Sequence, residues 1–261
     1  MGELEYESRH MLRSHDFAVL DKFGFEYAPV GFKFFNVKED LKGLGLQPLD
    51  ARIAWCQMLL EAQKGKAFYA TAENHNCEPG LFLTGQGPLD PLASGGRIGP
   101  AFDIYPAERV NRRVYEHISR LAEGSTYAVG FSPVAKLTFD PDLLILMCDS
   151  MDQAEKVLRA TQWDTGDMIK SHMTYVMGCN WLFTYPFLTG QINTVWTGVC
   201  YGMKMYKLYP PGLPIVTIPW HHIDRVLRNM NEMPWTLAGH TDEKEAAYKR
   251  GSERLGVEGI I

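Results

Sequence analysis

The sequence contains no long apolar run: its longest, Leu143–Cys148, is far too short to span a bilayer. Its first residues, Met1–Glu7, are acidic and polar, unlike a secretory signal or a transit peptide. Basic residues number 26 against 31 acidic ones, so the formal net charge of −5 gives no general attraction to nucleic acid or to an anionic membrane. These features predict a cytoplasmic protein that binds neither membrane nor nucleic acid.

Several catalytic signatures are also missing. There is no Gly-x-Ser-x-Gly elbow, no His-Glu-x-x-His zinc motif and no dinucleotide-binding fingerprint. The glycine-rich run Gly95–Gly99 lacks the lysine and the hydroxyl residue of a phosphate loop, so we interpret it as a mobile loop or a lid. No two cysteines are separated by two residues, which is the spacing that zinc and iron–sulfur sites commonly use.

The residues that are present predict a globular α+β protein. Of the 261 residues, 46% are hydrophobic and 22% are charged, which excludes a disordered chain. No low-complexity linker divides the sequence, so we expect one compact domain over 1–261, with a charged terminal helix or tail at 241–261. Strands and helices alternate without a regular βαβ period, which favours a mixed sheet with flanking helices. Strands are predicted at 30–35, 66–72, 126–132, 143–148, 192–198 and 214–219, and helices at 5–23, 51–63, 106–122, 151–162 and 220–231.

The cysteines show one regularity. Cys56 and Cys77 are 21 positions apart, and Cys179 and Cys200 have the same separation. Each pair encloses a predicted helix, a glycine turn and a predicted strand in the same order. The matching residues are Gly65 and Gly190, and Thr71 and Thr194. This pattern predicts an internal pseudo-duplication that places the two pairs around a pseudo-twofold axis, with coincidence as the alternative.

Eight short motifs occur in an order typical of one family. They are Pro29–Phe34, Trp55–Gln57, Tyr69–Gly80, Phe139–Leu146, Gly178-Cys179, Thr189-Gly190, Cys200–Gly202 and Ile218-Pro219. In these motifs, over residues 28–231, the chain resembles the domain-of-unknown-function family number 169, which is widespread in archaea and anaerobic bacteria. That family has no settled activity. The resemblance implies that Cys56, Cys77, Cys179 and Cys200 occupy the family's four cysteine positions, and that Cys148 lies outside the pattern.

The chain departs from the family's pattern in three places. Relatives often carry an acidic residue soon after the third cysteine, where this chain has Asn180-Trp181. Many relatives end the last cysteine motif with Gly-Asx-Arg, where this chain has Gly202–Lys204. The stretch before Ile218 is usually acidic, but here it reads Tyr209–Leu213. These differences predict a site that is more apolar and less acidic than those of the relatives.

The chemistry of the four cysteines has several interpretations. In a cytoplasmic protein thiols stay reduced, so we expect them to be free, metal-bound or catalytic. Four thiolates suit an iron–sulfur cluster, with zinc as the alternative. Glycines near Cys77, Cys179 and Cys200 would leave backbone N–H groups free to hydrogen-bond sulfur. A thiol nucleophile or redox pair, and simple packing of small apolar side chains, remain open.

Three further residues are candidate catalytic groups. His75, two residues before Cys77, could ligate a metal or act as a base that activates a thiol, and the alternative is a turn histidine. Lys33, inside an apolar strand, and Lys204, after the last cysteine, are candidate contacts for an anionic group. The alternative for Lys33 is an edge-strand lysine.

The leading hypothesis is an iron–sulfur enzyme of anaerobic metabolism, of redox or lyase type. Its substrate would be a small apolar or aromatic molecule, which could carry a carboxylate. One alternative is a non-catalytic protein that carries a metal or cofactor to a partner. Another is a cysteine-nucleophile transferase or hydrolase with His75 as base. A homo-oligomer or a redox partner protein is a further expectation.

Overall fold

The computed structural model describes residues 15–257, in which one seven-stranded mixed sheet is flanked by helices. The predicted α+β fold is therefore confirmed. The strands are β1 Val30–Phe35, β2 Gln47–Pro48, β3 Phe68–Thr71, β4 Ala128–Pro133, β5 Leu143–Met147, β6 Asn193–Trp196 and β7 Pro214–Pro219. The helices are α1 Ala18–Asp21, α2 Trp55–Gln63, α3 Glu78–Leu83, α4 Pro91–Ser94, α5 Ile98–Ala101, α6 Glu108–His117, α7 Met151–Gln162, α8 Tyr185–Thr189, α9 Tyr201–Met205, α10 Trp220–Glu232 and α11 Lys244–Leu255. Within this part of the chain, no helix is both long and apolar enough to cross a membrane.

The sheet has two matching halves. Its strand order is β2-β3-β4-β1-β5-β7-β6, and only the edge strand β2 pairs in parallel. Without β2, the three strands β3-β4-β1 on one side correspond to β6-β7-β5 on the other. At the centre Gly31 pairs with Leu144, flanked by the pairs Val30–Ile145 and Phe32–Leu143. A twofold rotation about the central pair exchanges the two flanking pairs, so the topology has the predicted pseudo-twofold arrangement; its origin by duplication stays a prediction.

The strand registers identify which positions of the two halves are equivalent. Positions matched in this way include Phe32 and Ile145, Lys33 and Leu146, Phe68 and Asn193, and Phe131 and Thr217. The glycine turns Gly65 and Gly190 also match, but Thr194 corresponds to Tyr69 and not to Thr71. The reason is that the chain from Cys179 to Gly190 is two residues longer than the chain from Cys56 to Gly65. Part of that extra length lies in the π-helical segment Asn180–Thr184.

The two faces of the sheet carry different cores. One face packs against α2 and the segment 177–189, and its buried cluster includes Phe32, Trp55 and Phe183 together with three of the cysteines. The opposite face packs against α7 and α10. Because side chains alternate between the faces along each strand, neighbouring residues of a strand contribute to different cores.

Several predicted boundaries differ from the structure. The helix expected at 51–63 begins only at Trp55, because Ile53 is held extended by a parallel bridge to His75. The segment 85–106, expected to be largely loop, also contains the short helices α4 and α5; Asp90 caps α4 by accepting two backbone N–H bonds. Of the helix expected at 5–23, only Ala18–Asp21 is helical among the described residues, and residues 5–14 lie outside them.

Candidate functional site

Four cysteines from four separate segments line one cavity of about 220 Å³. Cys56 lies in the first turn of α2, and Cys179 immediately precedes the π-helical segment Asn180–Thr184. Cys77 and Cys200 occupy the N-cap positions of α3 and α9. Each half of the sheet thus contributes one cysteine at the start of a helix and one at a helix cap. All four predicted residues meet at this cavity, whereas Cys148 is buried on the opposite face of the sheet.

The thiols contact one another across the two halves. Cys56 and Cys179 are hydrogen-bonded through their sulfur atoms. Cys200 is packed against Gly178 so closely that a Cβ there would lie 2.2 Å from the Cys200 sulfur, which leaves room only for glycine. A Cβ on Gly202 would lie 3.9 Å from the Cys56 sulfur, an ordinary contact distance.

Backbone N–H groups point at the cap cysteines. Gly80 donates toward the sulfur of Cys77, and Gly202 and Met203 donate toward that of Cys200. The first N–H groups of a helix have no partner within the helix, so a cysteine at the cap position can accept from them. Donors of this kind stabilise a thiolate and tune the properties of metal–sulfur centres.

Burial controls the protonation of the thiols. It raises the pKa of Cys77 to about 11 and also raises the pKa of Cys200. The interaction between the thiols of Cys56 and Cys179 lowers the pKa of Cys56 and raises that of Cys179 well above the usual range, with burial adding to the rise. Because the four thiols are close together in an apolar site, they resist ionising together unless a cation joins them.

The outer wall of the cavity comes from segments in which the sequence indicated no site residue. Asn111 and Tyr115 project from α6, and Met177 precedes Gly178 in a left-handed conformation with φ of 62°. Such a backbone angle is uncommon for a residue other than glycine. A helix and a loop so far from the cysteines in sequence could be recognised only once the chain had folded.

The glycine-rich run lies over this outer wall. Gly95–Gly99 joins α4 to α5 and packs on α6, where a Cβ on Gly99 would lie 1.9 Å from the Asn111 side-chain oxygen. Ile98 and Ile104, in and just after the run, line the cavity. This position is where a lid would lie, and its motion stays a prediction.

His75 lies beside the cysteine cavity without lining it. Its Nε2 is 2.8 Å from the side-chain oxygen of Gln86, whose amide nitrogen in turn donates to two backbone carbonyls. Nε2 therefore carries the proton, and the buried Nδ1 has no hydrogen-bond partner among the described residues. A Cβ on Gly80 would lie 2.8 Å from that Nδ1. Burial lowers the pKa of His75, which keeps its ring neutral.

The two candidate lysines lie away from the cavity. Lys33 is between Phe32 and Phe34 on β1, so its side chain lies on the sheet face opposite the cysteines. Its ammonium is 2.8 Å from the backbone oxygen of Asp140 and 3.2 Å from the carboxylate of Asp142. Lys204 is on the exposed side of α9, whereas its neighbour Met205 lines the cavity. The expectation that these lysines reach a substrate at the cysteines is therefore not supported by their positions.

The four thiols do not form a ready-made site for a single metal ion. Within residues 15–257, no three histidine, cysteine, aspartate or glutamate side chains are placed so that they could hold one metal ion. The four thiols share a cavity but do not surround a common point at ligand distance.

Fold and site together define a class of protein: an α+β protein whose two matching sheet halves enclose a cavity with four cysteines. The chain belongs to family DUF169, described as "Uncharacterised ArCR", whose profile matches residues 19–229. The resemblance predicted from the sequence motifs is therefore confirmed. No curated protein and no solved structure matches the chain.

Proposed function

We propose that the chain binds an iron–sulfur cluster, with zinc as the alternative, through Cys56, Cys77, Cys179 and Cys200. One observation carries this proposal: four thiols from four segments converge on one cavity. Cysteines that serve only as small apolar side chains have no reason to gather, and the fifth, Cys148, packs by itself among aliphatic residues.

The donor set fits such a group in its chemistry. Cysteine thiolates are the usual ligands of iron–sulfur clusters and common ligands of zinc, and N–H donors point at three of these sulfurs. A bound cation favours the thiolate form and so offsets the raised pKa values of the thiols. Because the described thiols do not surround one point, binding requires the side chains to reorient. A cluster, which holds its thiolates apart around several irons, is favoured over a single zinc ion.

The fuller form of the proposal is an enzyme of redox or lyase type in anaerobic metabolism. A bound cluster would supply electron transfer, or Lewis-acid activation if one iron kept an open coordination position. The chain's own contribution is an apolar cavity that excludes water and positions a small substrate, with Tyr115 and Tyr206 among its walls. A carrier that delivers the metal to another protein is the alternative, and it would show metal uptake without turnover and a stable complex with that protein.

The test is elemental analysis of protein purified without oxygen. Iron, acid-labile sulfide and zinc are measured per chain, together with visible absorbance. The proposal expects iron and sulfide with absorbance in the visible range, or about one zinc per chain in the colourless alternative. Cys148→Ala is the control and should keep the metal. Colourless, metal-free wild-type protein prepared in this way would count against the whole proposal.

A second candidate function rests on the pair Cys56 and Cys179. Their hydrogen bond lowers the pKa of Cys56, which is the condition for a nucleophilic or redox-active thiol. His75 is not placed to act as its base, since its ring lies outside the cavity lining. Alkylation of native protein with iodoacetamide separates the two ideas: rapid modification of Cys56 alone favours the nucleophile, whereas resistance of all four thiols until a chelator is added favours the metal.

A further inference from the structure

We propose that the cavity takes a small apolar compound that carries a positive charge, such as an amine, with Glu78 as its charged contact, and that it discriminates against carboxylates. The inference deepens the proposed function, because the ligand would lie beside the four cysteines. It also departs from the expectation of a carboxylated substrate.

The charge of the cavity wall favours a cationic ligand. Among the described residues that line it, Glu78 is the only charged side chain apart from any ionised cysteine, and it is an exposed residue in the first turn of α3. No lysine or arginine of the described residues lines the cavity. On the neighbouring segments, Arg112 donates to the backbone oxygen of Gly95, and Arg97 is 3.9 Å from Glu108. A carboxylate would therefore enter an apolar cavity beside another carboxylate without a cationic partner, which is electrostatically costly.

The aromatic residues of the wall favour a cation as well. Three tyrosines, Tyr115, Tyr201 and Tyr206, line the cavity. The face of an aromatic ring attracts a cation and repels an anion. Asp90 and Glu78 both lie close enough to Tyr115 to act on it electrostatically, so the tyrosine wall lies in a region of negative potential.

Binding of a metal would add negative charge to the site. Four thiolates carry more negative charge than a zinc ion carries positive charge, and the cysteine-ligated site would be anionic as a whole. An anion placed beside it would be repelled, whereas an ammonium group would be attracted. The preference for a cation should thus be present without metal and stronger with it.

The size of the cavity limits the ligand. A volume of about 220 Å³ lies below the ~300–1,000 Å³ of ordinary ligand pockets. The cavity suits a compound with one ring or a short chain, and a larger ligand would need the wall formed by α4–α6 to move.

The experiment uses three probes of similar size: benzylamine, benzyl alcohol and benzoate. Their affinities are measured by calorimetry on wild-type protein, both as purified without oxygen and after metal removal. We expect benzylamine to bind about tenfold more tightly than benzoate, because the ammonium gains a charge-assisted contact with Glu78 where the carboxylate meets a like charge. Glu78→Gln should weaken benzylamine binding about tenfold and leave benzyl alcohol unchanged.

The matched control is Glu73→Gln. Glu73 is exposed five positions earlier and faces a different groove, beside β3, so its change should leave all three affinities as they are. Three results would each overturn the inference. They are equal or tighter binding of benzoate, binding of none of the probes, and an unchanged benzylamine affinity in Glu78→Gln. Protein that contains no metal as purified without oxygen, yet prefers benzylamine, would refute the proposed metal function and keep this inference. Metal-containing protein that prefers benzoate would do the reverse.

Discussion

On the cysteine-bearing face, the first half of the sheet carries Phe32, Phe68 and Phe131 at positions where the second half carries Ile145, Asn193 and Thr217. In the first half the rings pack on one another, with Phe131 centred 4.9 Å from Phe32 and 5.4 Å from Phe68. In the second half Asn193 instead donates to the backbone oxygens of two residues in the segment 172–181. Two different kinds of core therefore hold the cysteines in equivalent places.

The halves also differ next to the cysteines. Trp55 precedes the first cysteine, whereas glycine, Gly178, precedes the third. The ring of Trp55 stacks on Phe183 of the other half at 4.4 Å, and Gly178 leaves the space in which Cys200 is buried. Cys200 is buried, whereas Cys77, its counterpart in the first half, is only partly buried. The two halves therefore share the placement of their cysteines, and each half achieves it with different packing.

The largest expected effect tests the difference in core chemistry. Phe131→Ala removes a fully buried ring from the aromatic half and should lower the free energy of unfolding by about 3–5 kcal/mol. At the matched position, Thr217→Val replaces a buried hydroxyl that has no hydrogen-bond partner among the described residues, and should raise that free energy by about 1 kcal/mol. Urea unfolding measures both. A large loss of stability in Thr217→Val would show that its hydroxyl has a partner.

The next effect concerns the opposite face of the sheet, where Lys33 corresponds to Leu146. Lys33→Met removes the ammonium from Asp142 and should cost about 3 kcal/mol, because a buried ion pair loses one partner. Leu146→Met, the control, conserves volume and should cost less than about 1.5 kcal/mol. Metal content should be unchanged in both variants, since neither side chain lies on the cysteine face. Loss of metal in Lys33→Met alone would restore a role for Lys33 at the site.

At Gly178 we expect a smaller loss of stability, together with a loss of bound metal. Gly178→Ala places a Cβ against the Cys200 sulfur and should cost about 1–3 kcal/mol through overpacking. It should also lower the metal content, because Cys200 must move. Gly202→Ala is the matched control, since its Cβ makes only an ordinary contact with Cys56. Equal metal content in the two variants would argue that the position of Cys200 is unimportant.

The smallest effect is the pH dependence that His75 adds in the first half. His75 lies two residues before its cap cysteine, where the second half has Gly198. Burial lowers the pKa of His75 below its ordinary 6.5, so the unfolded chain takes up a proton at a pH where the folded chain does not. Stability should therefore fall as the pH drops from 6.5 toward the folded pKa, and less so in His75→Gln. Urea unfolding at a series of pH values measures this slope; His240→Gln, at an exposed histidine, should leave it unchanged.

The set of four cysteines and most of the strands could be predicted from the sequence, because residue spacing and apolar runs are local signals. Val30–Phe35 and the four-cysteine set are examples. The sequence indicates a substrate as the partner of Lys33, because its partner in the structure, Asp142, is more than a hundred positions away. Asp142 immediately precedes β5, the strand that pairs with β1. Tyr115 and Asn111 were missed for a similar reason: only the folded chain carries α6 to the cysteines. The short helices α4 and α5 were hidden by the glycines and prolines around them.

The central claim is that the cysteines of the two halves form one shared centre. Metal content per chain, measured without oxygen, tests it most directly in two double variants, Cys56→Ser with Cys77→Ser and Cys179→Ser with Cys200→Ser. Each double variant, although it keeps both cysteines of the other half, should lose essentially all of the metal, while Cys148→Ala should keep it. Retention of about half of the wild-type metal in each double variant would refute a shared centre, because it would mean that each half binds metal by itself.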